Sequence, residues 1–169
     1  MKIVLLGYMA SGKSAVGKVL AKKMNLQFID LDDFIEKKEG KSISDIFDLH
    51  GEIYFRRVEA IYLEEVLNLS ENCIISLGGG TPCYGNNMEY LKNKSVSFYL
   101  NASIQTIFDR LEGETSQRPL VATIGKENLK EYLAKHLFER NPFYQKADFT
   151  ISVDNKSLNT IVEAIEELV

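Results

Sequence analysis

Short apolar runs alternate with stretches of helical periodicity along nearly the whole chain. Ile3-Val-Leu-Leu6 reads as a buried strand, and Ala15 to Met24 then places Val16, Val19, Leu20 and Met24 at helical spacing. Leu26 to Asp30 reads as a second strand, and Leu31 starts a helix with acids at its N-terminal end. Ser42 to His50 predicts a short helix closed by Gly51. Glu52 to Leu69 predicts a long amphipathic helix with Ile53, Phe55, Val58, Ile61, Tyr62, Val66 and Leu69 as its apolar positions. Strands are expected at Cys73–Leu77, Val96–Leu100 and Phe149–Val153, with helices at Met88–Lys92 and Ile104–Leu111. A closing helix is expected to bury Leu158, Ile161, Val162, Ile165 and Leu168. Strands that alternate with helices, most of them apolar on both faces, predict an α/β domain whose parallel sheet is covered on both sides.

One segment breaks this rhythm. Glu112 to Gly125 is polar, contains two glycines and a proline, and lies between two helical patterns. A loop of that length inside a domain of this kind is expected to be a functional lid. A chain of 169 residues suits one domain, residues 1–169, with a sizeable core. The formal charge of −4 argues against non-specific nucleic-acid binding, which needs a basic surface. No apolar run approaches the length of a membrane span. The first strand begins almost at Met1, leaving no room for a signal peptide, and Cys73 and Cys83 lack metal-type spacing. A cytoplasmic protein with free thiols, monomeric at this size, is expected.

The chemistry is densest in Gly7-Tyr-Met-Ala-Ser-Gly-Lys-Ser14, set between the first strand and the first helix. That is the context in which G-x-x-x-x-G-K-[ST] carries meaning. Glycines at both ends admit close approaches that a Cβ would block. The loop amides and the helix N-terminus direct partial positive charge at one place. Lys13 then reaches β/γ-phosphates and the Ser14 hydroxyl ligates a bridging Mg²⁺. The bland alternative is a glycine turn and a capped helix with Lys13 solvated. The full pattern in context favours a loop that binds a nucleoside triphosphate.

Ligands of open parallel sheets gather beyond the carboxyl ends of the strands. Asp30 and Asp32 end the second strand; Asp30 is a candidate for ordering metal waters and Asp32 for accepting a hydroxyl proton, and either could simply cap the following helix. Gly78-Gly79-Gly80 ends the third strand, where three glycines weaken the strand unless a ligand approaches the backbone or a tight turn requires them. Arg56 lies early in the long helix with Glu59 three residues on, at a spacing that lets the carboxylate orient it. Arg118 sits in the polar segment and Arg140 in Glu139-Arg-Asn-Pro-Phe-Tyr144. Arginines are common on helix surfaces, yet a transferring phosphoryl group needs positive charge and a carboxylated acceptor needs a planar fork. His50 and His136 are expected to be solvated or structural.

Taken in order, Gly7–Ser14, Asp30-Leu-Asp32, Phe55-Arg-x-x-Glu59, Gly78–Gly80, Arg118-Pro-Leu120 and Glu139-Arg140 with Tyr144 resemble the motif set of the shikimate kinases. The resemblance implies a three-layer α/β/α sandwich with a five-stranded parallel sheet of order 2-3-1-4-5, the P-loop kinase fold with a flexible lid. It implies ATP-dependent phosphorylation of the shikimate 3-hydroxyl, with Mg²⁺ as cofactor and shikimate and ATP as the molecules bound. Lys13 would hold the transferring phosphate within a nucleotide loop of Ala10, Ser11, Gly12, Ser14 and Ala15. Ser14 would ligate the metal and Asp30 its waters. Asp32 would bind acceptor hydroxyls and act as base, in a substrate-binding helical region of about 32–62. Arg56 and Arg140 would grip the carboxylate, Glu59 would hold Arg56, and Gly78, Gly79 and Gly80 would meet the acceptor. Arg118 would meet the ATP phosphates from a lid at about 112–125, and Arg110 would lie near the adenine. Ala10 and Ala15 depart from the glycine and threonine often found there. Two rivals remain open on the residues alone: a kinase of the same fold acting on gluconate or a nucleoside monophosphate, and a regulatory module that binds ATP without transfer.

Overall fold

The computed structural model describes residues 1–113 and 124–169. Five strands form one sheet: β1 (Lys2–Leu6), β2 (Gln27–Asp30), β3 (Cys73–Ser76), β4 (Val96–Asn101) and β5 (Phe149–Ser152). Their order is β2-β3-β1-β4-β5 and every neighbouring pair is parallel. The expected parallel α/β sheet is borne out, as is the order that the resemblance implied. β1 and β3 are buried along their whole length, whereas β2 and β5 are half-exposed edges. The continuous apolar runs are therefore those of the interior, where both faces carry helices.

Seven helices complete the described fold: α1 (Lys13–Met24), α2 (Leu31–Glu39), α3 (Ile43–Leu67), α4 (Asn87–Lys94), α5 (Ile104–Gly113), α6 (Lys126–Tyr144) and α7 (Leu158–Glu166). Three of the starts carry a side-chain cap. The Ser42 and Ser157 hydroxyls accept the Asp45 and Thr160 amides at the heads of α3 and α7, and Asp30 accepts the Asp32 and Asp33 amides at the head of α2. α3 is two helical pieces joined at Gly51, whose φ of 80° and ψ of 175° are not helical. The short helix closed by that glycine was legible in the sequence.

Two apolar stripes differ from expectation. Ile53 and Ile61 are 86% and 56% exposed. The face of α3 that packs inward runs through Phe55, Val58, Glu59, Leu63 and Val66, and at 100° per residue neither isoleucine shares that arc. In α7, Ile161, Val162 and Ile165 are buried, but Leu158 and Leu168 are largely exposed. Leu168 lies beyond the helical end, and Leu158, in the first turn, borders the cavity described below.

Register places the chemistry. Leu5, Ser76 and Asp30 share one row across β1, β3 and β2. The loop after β1, the glycines after β3 and the aspartates after β2 thus leave the sheet side by side at its carboxyl edge.

Candidate active site

The Gly7–Gly12 loop turns tightly over the end of the sheet. A Cβ on Gly7 would lie 2.7 Å from the Leu100 carbonyl oxygen of β4, so only glycine fits there. Ala10 takes the left-handed conformation, φ 61°, that a glycine would adopt without cost. The Lys13 ammonium folds back across the loop, donating to the Gly7 and Tyr8 carbonyls at 2.8 and 2.9 Å. Ser14 Oγ donates to Asp30 Oδ2 at 2.8 Å, while Asp30 Oδ1 caps α2. Capping thus occupies one oxygen of Asp30 and the Ser14 hydroxyl the other. Arg110, on α5, donates to the Ala10 carbonyl at 2.7 Å.

These groups border a cavity of about 540 Å³ running from Asp32 and Gly78 past Lys13 to Arg110, Lys156 and Leu158. That volume is in the range of small-molecule and cofactor sites. Lys156, Leu158 and Ile161 were not assigned from the sequence. Lys156 comes from the loop between β5 and α7, and Leu158 and Ile161 from the first turns of α7, which the sequence marked only as core positions.

At the other end of the cavity the three glycines acquire a physical reason. A Cβ on Gly78 would meet Asp32 Oδ1 at 3.0 Å, one on Gly79 would meet Arg140 Nη1 at 3.1 Å, and one on Gly80 would meet Arg56 Nη2 at 2.7 Å. The turn is stripped of side chains because three charged groups from α2, α6 and α3 press against it. The expected cause was an approaching ligand; the observed neighbours are the protein's own site residues. Tyr144 supports the turn from behind, its hydroxyl donating to the Gly79 carbonyl at 2.6 Å.

Arg56 and Arg140 are held differently. Arg56 Nη1 donates to Glu59 Oε1 at 2.9 Å, and the buried Glu59 receives Thr81 Oγ1 on its other oxygen at 2.8 Å. Arg140 lies over the ring of Tyr8, 5.8 Å from its centroid, and no carboxylate among the described residues pairs with it. Thr81 was missed because a threonine after a glycine turn carries no periodic signal. Thr81→Val should destabilise the fold by about 1–3 kcal/mol, the cost of leaving a buried carboxylate oxygen unpaired. Urea denaturation checks this; an unchanged midpoint would show that Thr81 is not the group satisfying Glu59.

Asp32 is the site's most perturbed carboxyl. Burial, then the nearby charges of Asp30 and Glu59, push its pKa from 3.8 to about 6, against the opposing pull of Lys13. His136 is held below its ordinary value by burial and then by Arg140, and its Nδ1 is hydrogen-bonded to the Tyr8 hydroxyl at 2.9 Å. The expected structural role of His136 matches that contact, and His50 packs against the Tyr54 ring.

Lys13, Ser14, Asp30, Asp32 and Arg110 therefore border one cavity with Gly78 and Gly79, and Arg56, Glu59 and Arg140 adjoin it through the glycine turn. Ala10, Ser11, Gly12 and Ala15 border it from the loop side. Arg118 and the Arg118-Pro-Leu120 motif lie outside the described residues, as does most of the expected lid.

A family model described as shikimate kinase matches residues 9–169. The chain belongs to the shikimate kinase family. A shikimate kinase from Flavobacterium johnsoniae is 48% identical over 168 residues, covering 99% of this chain and 98% of that one. The fold is similar to a crystal structure of shikimate kinase from Bacteroides thetaiotaomicron, with TM-score 0.92, 34% identity, and coverage of 99% of this chain and 97% of that one. It is also similar to a shikimate kinase from Acinetobacter baumannii in complex with shikimate, with TM-score 0.86, 31% identity, and coverage of 99% and 91%. Among the described residues no helix is long and apolar enough to cross a membrane.

Proposed function

We propose that the chain transfers the γ-phosphoryl group of ATP to the 3-hydroxyl of shikimate, giving ADP and shikimate 3-phosphate on the route to chorismate and the aromatic amino acids. The observation that carries this reading is the glycine turn. It brings one carboxyl and two arginines to the edge of a phosphate-type loop, which is the equipment for holding a hydroxylated carboxylate beside a triphosphate. Family membership supports the same substrate and reaction.

Each residue then has a task. Phosphoryl transfer asks the protein mainly to place donor and acceptor in line and to balance charge on the transferring group. Lys13 and the loop amides of Ala10 to Ala15 bind the phosphates. Asp32 accepts the proton that the acceptor hydroxyl loses; with a pKa of about 6 it is ionised at neutral pH yet basic enough to help. Arg140 and Arg56 bind the acceptor carboxylate, Glu59 fixes Arg56, and the Gly79 backbone meets a hydroxyl. Arg110, Lys156 and Leu158 border the end of the cavity assigned to the nucleoside. Arg118 is assigned to the ATP phosphates by the resemblance alone, within a proposed lid at about 112–125.

Ser14 and Asp30 offer a hydroxyl and a carboxylate 2.8 Å apart, hard oxygen donors of the kind Mg²⁺ takes together with substrate phosphates. Ser14 would bind the ion and Asp30 its waters, and the ion would neutralise charge on the β- and γ-phosphates. A cytoplasmic monomer of one domain, with residues of about 32–62 serving the acceptor, completes the proposal; the acidic net charge supports the exclusion of nucleic acid as a partner.

The direct test is ADP production with Mg·ATP, with and without shikimate, using gluconate and nucleoside monophosphates as controls. A large rate with shikimate alone is expected; a flat response to every acceptor would return the chain to the regulatory reading. The carboxylate clamp has its own test. Arg56→Ala and Arg140→Ala should raise the KM for shikimate roughly 30- to 1000-fold, the equivalent of about 2–4 kcal/mol for losing one partner of a buried charged contact. The KM for ATP should stay near the unmodified value. An unchanged shikimate KM in either variant would remove that arginine from the clamp.

A further inference from the structure

Arg56 is contacted by Glu59, by the backbone at Gly80 and by the ring of Tyr84. Glu59 holds one terminal nitrogen, and the backbone of Gly80 closes on the guanidinium so tightly that no Cβ fits between them. Against the guanidinium lies the ring of Tyr84, with Arg56 Cζ 3.9 Å from its centroid. That is the closest cation–ring contact among the described residues; the stacking of Arg140 on Tyr8 is looser, at 5.8 Å. The Tyr84 hydroxyl is anchored in turn, donating to Glu52 Oε1 at 2.9 Å, and the same oxygen lies 3.8 Å from Arg56 Nε. Nε itself is buried without a hydrogen-bond partner, so the guanidinium is not locked by bonds along that edge. Its tilt about the Glu59 contact is left to the surfaces that sandwich it.

We infer that Tyr84 is a positioning residue for the acceptor site: its ring fixes the plane of Arg56 so that the fork meets a planar carboxylate edge-on. A guanidinium recognises a carboxylate through two parallel N–H bonds, and that geometry fails when the plane tilts. An aromatic face with the guanidinium carbon 3.9 Å over its centre restricts how far the guanidinium can tilt. Glu59 alone fixes a point on the guanidinium, not its plane. The 3₁₀ turn Thr81–Cys83 delivers both constraints, since Thr81 secures Glu59 at its start and Tyr84 caps its end. The chemistry selected is a carboxylate held in the plane between Arg56 and Arg140. The inference rests on the carboxylate-clamp reading given above and extends it to a residue that acts through Arg56.

The test is steady-state kinetics on Tyr84→Ala, Tyr84→Phe and Arg56→Ala, with Tyr84→Ala also placed in the Arg56→Ala background. Tyr84→Ala should raise the shikimate KM roughly 2- to 30-fold, the range expected from loss of a cation–π contact, with kcat and the KM for ATP within about twofold of the unmodified enzyme. Tyr84→Phe keeps the ring and loses only the anchor to Glu52, so its rise in shikimate KM should be clearly smaller than that of Tyr84→Ala. In the Arg56→Ala background Tyr84→Ala should add no further loss, because the guanidinium it orients is gone. A normal shikimate KM in Tyr84→Ala, with Arg56→Ala impaired, overturns the inference alone. So does Tyr84→Phe as impaired as Tyr84→Ala, or a full additional loss in the double variant. A normal KM in Arg56→Ala overturns the clamp reading and this inference with it. Should Tyr84→Ala fail to fold, Tyr84→Leu keeps the apolar bulk without the π face and carries the same expectations.

Discussion

Lys13→Met is expected to lower kcat by about 10³-fold or more while the protein stays folded. Removing a single preorganised charge-stabilising donor costs roughly 10²–10³ in rate, and cationic groups on a transferring phosphoryl group reach beyond that. Methionine keeps the length and bulk of the lysine stem and removes only the ammonium. In the folded protein that ammonium makes two hydrogen bonds to the Gly7 and Tyr8 carbonyls, each with a net worth of about 1 kcal/mol. The loop also rests on contacts that the substitution spares: the tight seat of Gly7 on β4, the Ser11 amide bonded to the Tyr8 carbonyl at 3.2 Å, and Arg110 on the Ala10 carbonyl. Kinetics should therefore collapse while the far-UV spectrum persists and the melting temperature falls by only a few degrees. A variant with undiminished kcat would sink the assignment of Lys13 to the phosphate. A variant that unfolds would instead show that the ammonium holds the loop together.

What the sequence revealed of this site follows the distance between its parts along the chain. The phosphate-type loop occupies eight consecutive residues between a strand and a helix, so its glycines, lysine and serine declared themselves. Gly51 likewise marked its own break in α3, because a left-handed φ is a local property. The alternation of strands and helices announced a parallel sheet, but its order came only with the motif resemblance, since periodicity says nothing about which strands pair. The glycine triplet was noticed for the right reason, a backbone that something approaches, but the protein's own side chains that approach it were not foreseen. The side chains that crowd it come from Asp32, Arg56 and Arg140, more than twenty residues distant in each case. Tyr84 and Thr81 were invisible because their partners are set by the 3₁₀ turn, not by spacing. Leu158 was misread as core because helical phase places it on the buried stripe, while its position in the first turn turns it to the cavity.

Asp32→Asn should do two opposite things: lower kcat and stabilise the fold above neutral pH. The kinetic loss is that of a general base, roughly 10²–10⁴-fold, since an amide cannot take the acceptor's proton. In the unmodified enzyme the same assignment predicts an acid limb in kcat/KM that falls as pH drops below about 6. The stability effect follows from why that value is high. Burial and the charges of Asp30 and Glu59 disfavour the Asp32 carboxylate in the fold, whereas the unfolded chain ionises it near its ordinary value. Between about pH 4 and 6 the folded state therefore holds a proton that the unfolded state has released, so raising the pH through this window favours unfolding. The rise from 3.8 to about 6 corresponds to up to about 3 kcal/mol, at about 1.4 kcal/mol per pH unit. Asparagine removes the charge and with it that penalty. Urea melts from pH 4 to 8 should show Asp32→Asn gaining on the unmodified protein as pH rises, with the full advantage above pH 6 and none near pH 4. A variant that is less stable at pH 8, or whose advantage does not change with pH, would mean that the carboxylate is not strained in the fold. On the proposed assignment, a base poised near neutrality and a penalty on folding are one property: the negative neighbours that raise the proton affinity of Asp32 include Asp30, which receives the Ser14 hydroxyl, and Glu59, which holds Arg56.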